Sequence, residues 1–225
     1  MRRIALSYPL GVDTPRFAEN PPVSMWPQFS TDRGDVFNQS FYLAINHCGT
    51  HMDGANHFNP EGKQLWENPI DTFVYESVFV ADIPKSDDAL ITKEDLEVFS
   101  EQLASCDLII VRTGFYKYRD DAERYGQHNP GFTKDAGDFL MQFPNIKAIG
   151  MDLPSAAGAQ NVNPHGVEFH QSVLGLGRDD DRAILIIEDM KLDEDLTGVE
   201  RVYALPLLLK GLDSGPCTIL AELAD

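Results

Sequence analysis

Cysteine is scarce and dispersed. Cys48, Cys106 and Cys217 are odd in number and form no CxxC pair, which argues against a disulfide framework. Positive charge is equally thin: 18 Lys and Arg face 36 Asp and Glu, for a formal net charge of -18 and a sequence pI near 4.5. Nucleic-acid binding needs a basic footprint, and anionic membrane surfaces need one too, so neither partner is expected. No apolar run approaches the ~20 residues of a membrane span. Arg2-Arg3 is followed by no signal-like apolar stretch before Pro9, and a cytoplasmic protein is expected. The Gly-x-Ser-x-Gly elbow of a serine hydrolase is missing. Gly175-Leu176-Gly177 is too short to read as a phosphate loop, and Arg178–Arg182 lacks the glycine and distal glutamate of a calcium loop.

What remains is an ordinary globular composition, 43% hydrophobic and 24% charged, in a chain long enough to bury a core without staples. Residues 1–225 are read as a single domain with a Pro-rich N-terminal arm at 1–35. Pro15, Pro21, Pro22 and Pro27 should interrupt regular structure there, and Phe17 and Trp26 are candidates to wall a pocket. Strands are expected at Ser40–Asn46, Ser77–Ile83, Asp107–Arg112, Ile146–Met151, Ile184–Ile187, Val202–Leu208 and Cys217–Leu223. Helices are expected from Thr92 to about Ala104, and from Thr133 until Pro144 closes it. Strands alternate with helices in the middle and predominate near the ends, which predicts an α/β fold with a mixed β-sheet and flanking helices.

The densest chemistry lies in His47-Cys48-Gly49-Thr50-His51-Met52-Asp53-Gly54-Ala55-Asn56-His57, which holds three of the six histidines. Imidazole and carboxylate are the usual nitrogen and oxygen ligands of zinc and similar ions. His47, His51, Asp53 and His57 can crowd one site if Gly49 and Gly54 turn the backbone tightly. Cys48 has no second thiolate near it and is set aside as a small hydrophobe. Glu188 ends an apolar run, where a carboxylate is costly unless it is paired or bound to a cation. His170 is placed on a partly buried helix, with His165 as a reserve, and His128 on a surface loop. Metal-assisted hydrolysis is the chemistry that such residues support.

This segment resembles the His-x-Gly-Thr-His-x-Asp-x-Pro-x-His hallmark of the cyclase family of metal-dependent hydrolases, which includes bacterial kynurenine formamidases and isatin hydrolases; only the proline differs, being Ala55 here. Further matches are Arg112-Thr113-Gly114-Phe115, Gly150-Met151-Asp152-Leu153-Pro154-Ser155, His170 with Val173-Leu174, Ile184–Glu188, and Ala204–Leu207 with Gly211–Pro216. The resemblance implies a swivelling β/β/α type of fold. It implies one or two divalent ions, zinc or else manganese, held by His47, His51, Asp53, His170 and Glu188. It gives His57 the role of general acid and base. It also implies an amide substrate, either an arylformamide such as N-formylkynurenine or an isatin-like cyclic amide, with Phe17 and Trp26 against its ring. Together with the arm, it points to a homodimer or higher homo-oligomer. Two rivals are a polyketide-type cyclase or dehydratase using the same metals, and a catalytically idle metal-binding protein.

Overall fold

The computed structural model describes residues 1–224. In chain order the strands are β1 (Arg2–Ala5), β2 (Ser24–Phe29), β3 (Gln39–Leu43), β4 (His51–Asp53), β5 (Val74–Tyr75), β6 (Val78–Asp82), β7 (Leu90–Ile91), β8 (Leu108–Arg112), β9 (Gly131–Phe132), β10 (Ala148–Met151), β11 (Leu185–Glu188), β12 (Val199–Pro206) and β13 (Ser214–Leu223). The helices are α1 (Lys93–Glu97), α2 (Ser100–Leu103), α3 (Ala122–Gln127), α4 (Lys134–Leu140) and α5 (Val167–Val173). Among the described residues no helix is long and apolar enough to cross a membrane.

The main sheet runs β5-β12-β13-β4-β11-β10-β8-β6, with β1 also paired to β13. Strands β6, β8, β10 and β11 are mutually parallel, while β4, β13, β12 and β5 continue the sheet antiparallel. At its far end β6 curves back toward β12, so the sheet is a nearly closed barrel. Period-2 alternation divides the core in two. Ile109, Val111, Ile149, Met151 and Ile186 face the helices, packing on Leu96, Leu103, Phe139, Leu140, Phe169 and Val173. Leu108, Ile110, Ala148, Leu185 and Ile187 face the barrel interior with Met52, Phe73, Tyr75 and Ile219. This is the single α/β domain with a mixed sheet that the sequence predicts, with the sheet more closed than patterning revealed.

Three expectations need correcting. The strand expected at Ser40–Asn46 ends at Leu43 and does not feed the histidine segment. It pairs with β2 in a separate two-stranded hairpin whose strand residues are all exposed. The Pro-rich arm likewise holds a regular strand, β2, with Pro27 inside it. Proline is tolerated there because a two-stranded ribbon has outward edges that need no N–H donor. The helix expected from Thr92 to Ala104 is two short helices broken at Val98 and Phe99, and Phe99 (φ -107°, ψ 17°) leaves helical geometry. Its start is as expected: the Thr92 amide donates to the Asp95 carboxylate at 2.8 Å.

The C-terminal ends of β8 and β10 are tied by one buried carboxylate. Asp152 accepts from the Thr113 amide and hydroxyl and from the Gly114 amide, each at 2.8 Å, and Gly114 takes the left-handed φ of +80° that the turn demands. Removing this acceptor strands several buried donors. Asp152→Ala is therefore expected to cost about 2–4 kcal/mol of folding stability, measured by urea denaturation; a loss below about 1 kcal/mol would show that the donors find other partners.

Candidate metal centre

The site forms where β11 ends and β4 runs antiparallel beside it. Glu188 is opposite His51, and Ile186 is opposite Asp53. His51 and Asp53 are two residues apart, so both point to one side of β4 while Met52 points into the barrel core. His170 arrives from α5, and His47 from the loop before β4. Gly49, at φ +63°, makes the turn anticipated between His47 and His51. Gly54 has a different role. Its φ is -85°, and a Cβ there would lie 2.7 Å from the Asp213 carbonyl oxygen. The Gly54 amide instead donates to that oxygen at 2.9 Å, which brings Asp213 into the cluster.

Two groups share Asp53. In the buried one, His51 Nε2 lies 3.5 Å from Asp53 Oδ1 and 3.3 Å from Glu188 Oε2, while His170 Nε2 lies 3.5 Å from Glu188 Oε1 and 4.0 Å from Asp53 Oδ2. In the half-exposed one, His47 Nδ1 is 2.9 Å from Asp53 Oδ1, and His47 Nε2 is 2.7 Å from Asp213 Oδ2. His57 Nδ1 reaches the same Asp213 oxygen at 2.8 Å, and its ring lies 4.1 Å from that of His47. Donor atoms of His47, Asp53 and His57, and separately of His51, Asp53 and Glu188, lie within 4.8 Å of one another.

These residues suit a divalent cation on internal grounds. Both Asp53 oxygens and His51 Nε2 are buried without a hydrogen bond; His47 approaches Asp53 closely but without hydrogen-bond alignment. Such atoms cost free energy unless something else satisfies them. The remaining ring nitrogens are committed to backbone: His51 Nδ1 lies 2.8 Å from the Gly49 carbonyl and His170 Nδ1 2.7 Å from that of Gly166. A ring that donates from Nδ1 offers its Nε2 lone pair inward, as metal-bound imidazoles do. Glu188 Oε1 accepts from the Ala156 amide at 2.6 Å and the Ser155 hydroxyl at 3.2 Å, which fixes the carboxylate in place.

The cluster is strongly polarised. Burial draws the His47 ring toward neutrality, but the Asp213 and Asp53 carboxylates outweigh it and raise its pKa to about 10. Burial acts the same way on His51 and His170, and the neighbouring Glu188 and Asp53 carboxylates again raise both. Burial favours protonated Glu188, but His170 and His51 prevail and lower its pKa. Asp213 is likewise lowered by His47 and His57 against its own burial.

The "Putative cyclase" family model matches residues 4–157. The chain belongs to this family. A kynurenine formamidase from Bacillus cereus is 28% identical over 216 residues, covering 95% of this chain and 93% of its own. An uncharacterised protein from Haemophilus influenzae is 39% identical over 128 residues, covering 55% of this chain and 90% of its own. Isatin hydrolase A from Labrenzia aggregata, solved with benzyl benzoate bound, superimposes with a TM-score of 0.81 at 22% identity, covering 100% of this chain and 94% of that one.

Within this cyclase-family fold, six of the residues picked from sequence converge: His47, His51, Asp53, His57, His170 and Glu188. Together with Phe17, all but His51 line a cleft of about 270 Å³, whose apolar walls include Ile45, Phe58, Val162 and Val167. Among the described residues neither His170 nor His165 belongs to the two tightest groups, but His170 lies 3.5 Å from Glu188 and lines the cleft, whereas His165 does not line it. Trp26 does not line the cleft. It sits on the β2–β3 hairpin, 47% exposed, stacked on Phe41 at 5.7 Å, because the ribbon carries it away from the body. His128 is on the surface, 3.2 Å from Asp88. Sequence reading missed Asp213. Its Gly211–Pro216 segment was visible as a motif, but only the β4–β13 register, which sets Ser214 opposite Asp53, brings its carboxylate to His47 and His57.

Protons on the imidazoles compete with a cation for the same lone pairs. Loading with Zn²⁺ at neutral pH is therefore expected to release protons, and affinity should fall as pH is lowered. Titration calorimetry in buffers of different ionisation enthalpy measures this, and buffer-independent heats would show that the rings are neutral before loading.

Proposed function

We propose that the chain is a metal-dependent hydrolase of the amide bond in a small aromatic or cyclic amide, either an arylformamide such as N-formylkynurenine or an isatin-like lactam. One observation carries this reading: a buried Asp53 with two unsatisfied oxygens, ringed by imidazoles and Glu188, at the base of an apolar cleft sized for a small ring. The similarity to a kynurenine formamidase along nearly the whole chain supports the substrate class. His47, His51, Asp53, His170 and Glu188 would hold zinc or manganese, as one or two ions. When bound, the cation supplies Lewis acidity that polarises the substrate carbonyl and eases deprotonation of water.

The chain's own residues do the rest. Phe17 and Phe58 line the cleft and would pack against the ring of an aromatic substrate. Asp213 lies 2.8 Å from His57 Nδ1, pairing with that side of the ring and leaving Nε2 as its working nitrogen. His57 takes the proton from the attacking water and returns it to the leaving nitrogen as the C–N bond breaks, giving a carboxylic acid and an amine. His57→Ala is expected to retain the bound cation by elemental analysis and to lose about 10²–10⁴-fold in turnover of N-formylkynurenine. Turnover near the parent level removes His57 from this role. Loss of the cation instead makes it a ligand, as its proximity to His47 and Asp53 would allow. Product mass separates hydrolysis, which adds water, from dehydration, which removes it.

We also propose that the hairpin builds a homo-oligomer. Met25, Trp26, Phe37, Phe41, Tyr42 and Leu43 are exposed on it, and a lone two-stranded ribbon is marginal in water unless it is covered. The Trp26→Glu, Phe41→Glu double variant is expected to run as a 25.1 kDa monomer in size-exclusion chromatography with light scattering, where the parent runs at a multiple of that mass. A monomeric parent would refute the assignment.

A further inference from the structure

Directly behind the cluster lies a second polar network that the proposed chemistry does not use. Its centre is Asp189, the residue after Glu188. Asp189 is buried and holds a left-handed φ of +50°, a conformation uncommon for non-glycine residues, though aspartate tolerates it better than most. Arg119 grips both of its carboxylate oxygens, Nε to Oδ1 at 2.9 Å and Nη2 to Oδ2 at 2.8 Å. The Tyr125 hydroxyl donates to Oδ1 at 2.8 Å. The Arg119 guanidinium in turn lies 3.8 Å from the centre of the Tyr8 ring, so the fork is held from both sides.

The backbone of Asp189 passes this restraint to both ligand strands. Its amide donates to the Leu153 carbonyl at 2.7 Å, fixing the exit of β11 just beyond Glu188. Its carbonyl accepts from the Thr50 hydroxyl at 2.6 Å, and Thr50 immediately precedes His51. The same hydroxyl accepts from the Tyr8 amide at 2.9 Å. One residue therefore touches the neighbours of Glu188 and of His51, which are opposite each other in the sheet and 3.3 Å apart at their tips. Neither Arg119 nor Tyr125 lines the cleft, so substrate contact does not account for them.

We propose that Arg119 is a positioning residue: through Asp189 it sets the spacing of His51 and Glu188, and with it the cation affinity of the cluster. This rests on the metal reading above. Ligand geometry must be held to a few tenths of an ångström for tight binding, and partners that orient ligands commonly govern affinity.

The test measures Co²⁺ binding by competition with a chromophoric chelator, the visible spectrum of the Co²⁺-loaded protein, and the melting temperature of the metal-free protein. Arg119→Lys keeps the charge but cannot grip both oxygens. It is expected to bind Co²⁺ about 10- to 100-fold more weakly, with an altered visible band and a metal-free melting temperature close to the parent's. Asp189→Gly relieves the left-handed backbone but removes the carboxylate. It should weaken binding similarly, whereas a purely conformational role would leave affinity intact. If Arg119→Lys fails to fold, Tyr125→Phe removes one donor and should cost about fivefold in affinity, the worth of one hydrogen bond. Folded variants that bind within twofold of the parent, with an unchanged spectrum, overturn the proposal. A parent that binds no Co²⁺ overturns the metal reading and this inference with it, whereas a parent that binds beside equally competent variants overturns only the positioning role.

Discussion

A carboxylate with both oxygens out of water and no hydrogen bond is among the least tolerable groups a fold can bury, and Asp53 is in that position. Much of the surrounding architecture answers this constraint. Imidazoles close on it from three elements: His47 from the preceding loop, His51 from its own strand and His170 from α5. Glu188 stands beside them from the next strand. His51, His170 and Glu188 are held from behind by backbone, and His47 by the Asp213 and Ser214 side chains, which restrains the cluster. The Gly49 and Gly166 carbonyls restrain the His51 and His170 rings, and the Ala156 amide restrains Glu188. A site that stays polar and preorganised under these conditions is what the proposed metal reading rests on.

The sheet topology explains how this arrangement is reached. Parallel strands β8, β10 and β11 deliver their C-terminal ends to one side, where α/β proteins place their ligands. Strand β4, inserted antiparallel between β11 and β13, brings its alternating polar face to that same end. Its other face, Met52, completes the barrel core. A slip of one residue in this pairing would exchange the two faces, burying the ligands among leucines and exposing the methionine. Register, more than the presence of the residues, makes the centre.

The layer behind the ligands shows the same economy. Asp152, Asp189 and Asp213 are all acidic, but only Asp213 faces the chemistry. Asp152 closes a turn, and Asp189, gripped by Arg119, links the supports of two ligands. None of the three could be separated from the chain's many other acidic residues by spacing, because their partners lie 36 or more positions away in sequence.

What the sequence by itself determined is local and periodic. His47, His51, Asp53 and His57 were legible because their side chains crowd within one short segment, and Glu188 because a charge at the end of an apolar strand needs a reason. The core strands were legible as short apolar runs, and the family from its motif. Only the tertiary structure decided which distant residues join them. It carried His170 to 3.5 Å from Glu188 because α5 turns that ring inward. It moved Trp26 out on an exposed ribbon, since the Pro-containing arm pairs with β3 instead of folding back. It brought Asp213 to His57 because Gly54, lacking a Cβ, lets the two backbones meet. These are effects of contact between segments far apart in the chain, and a one-dimensional pattern carries no record of which surfaces will touch.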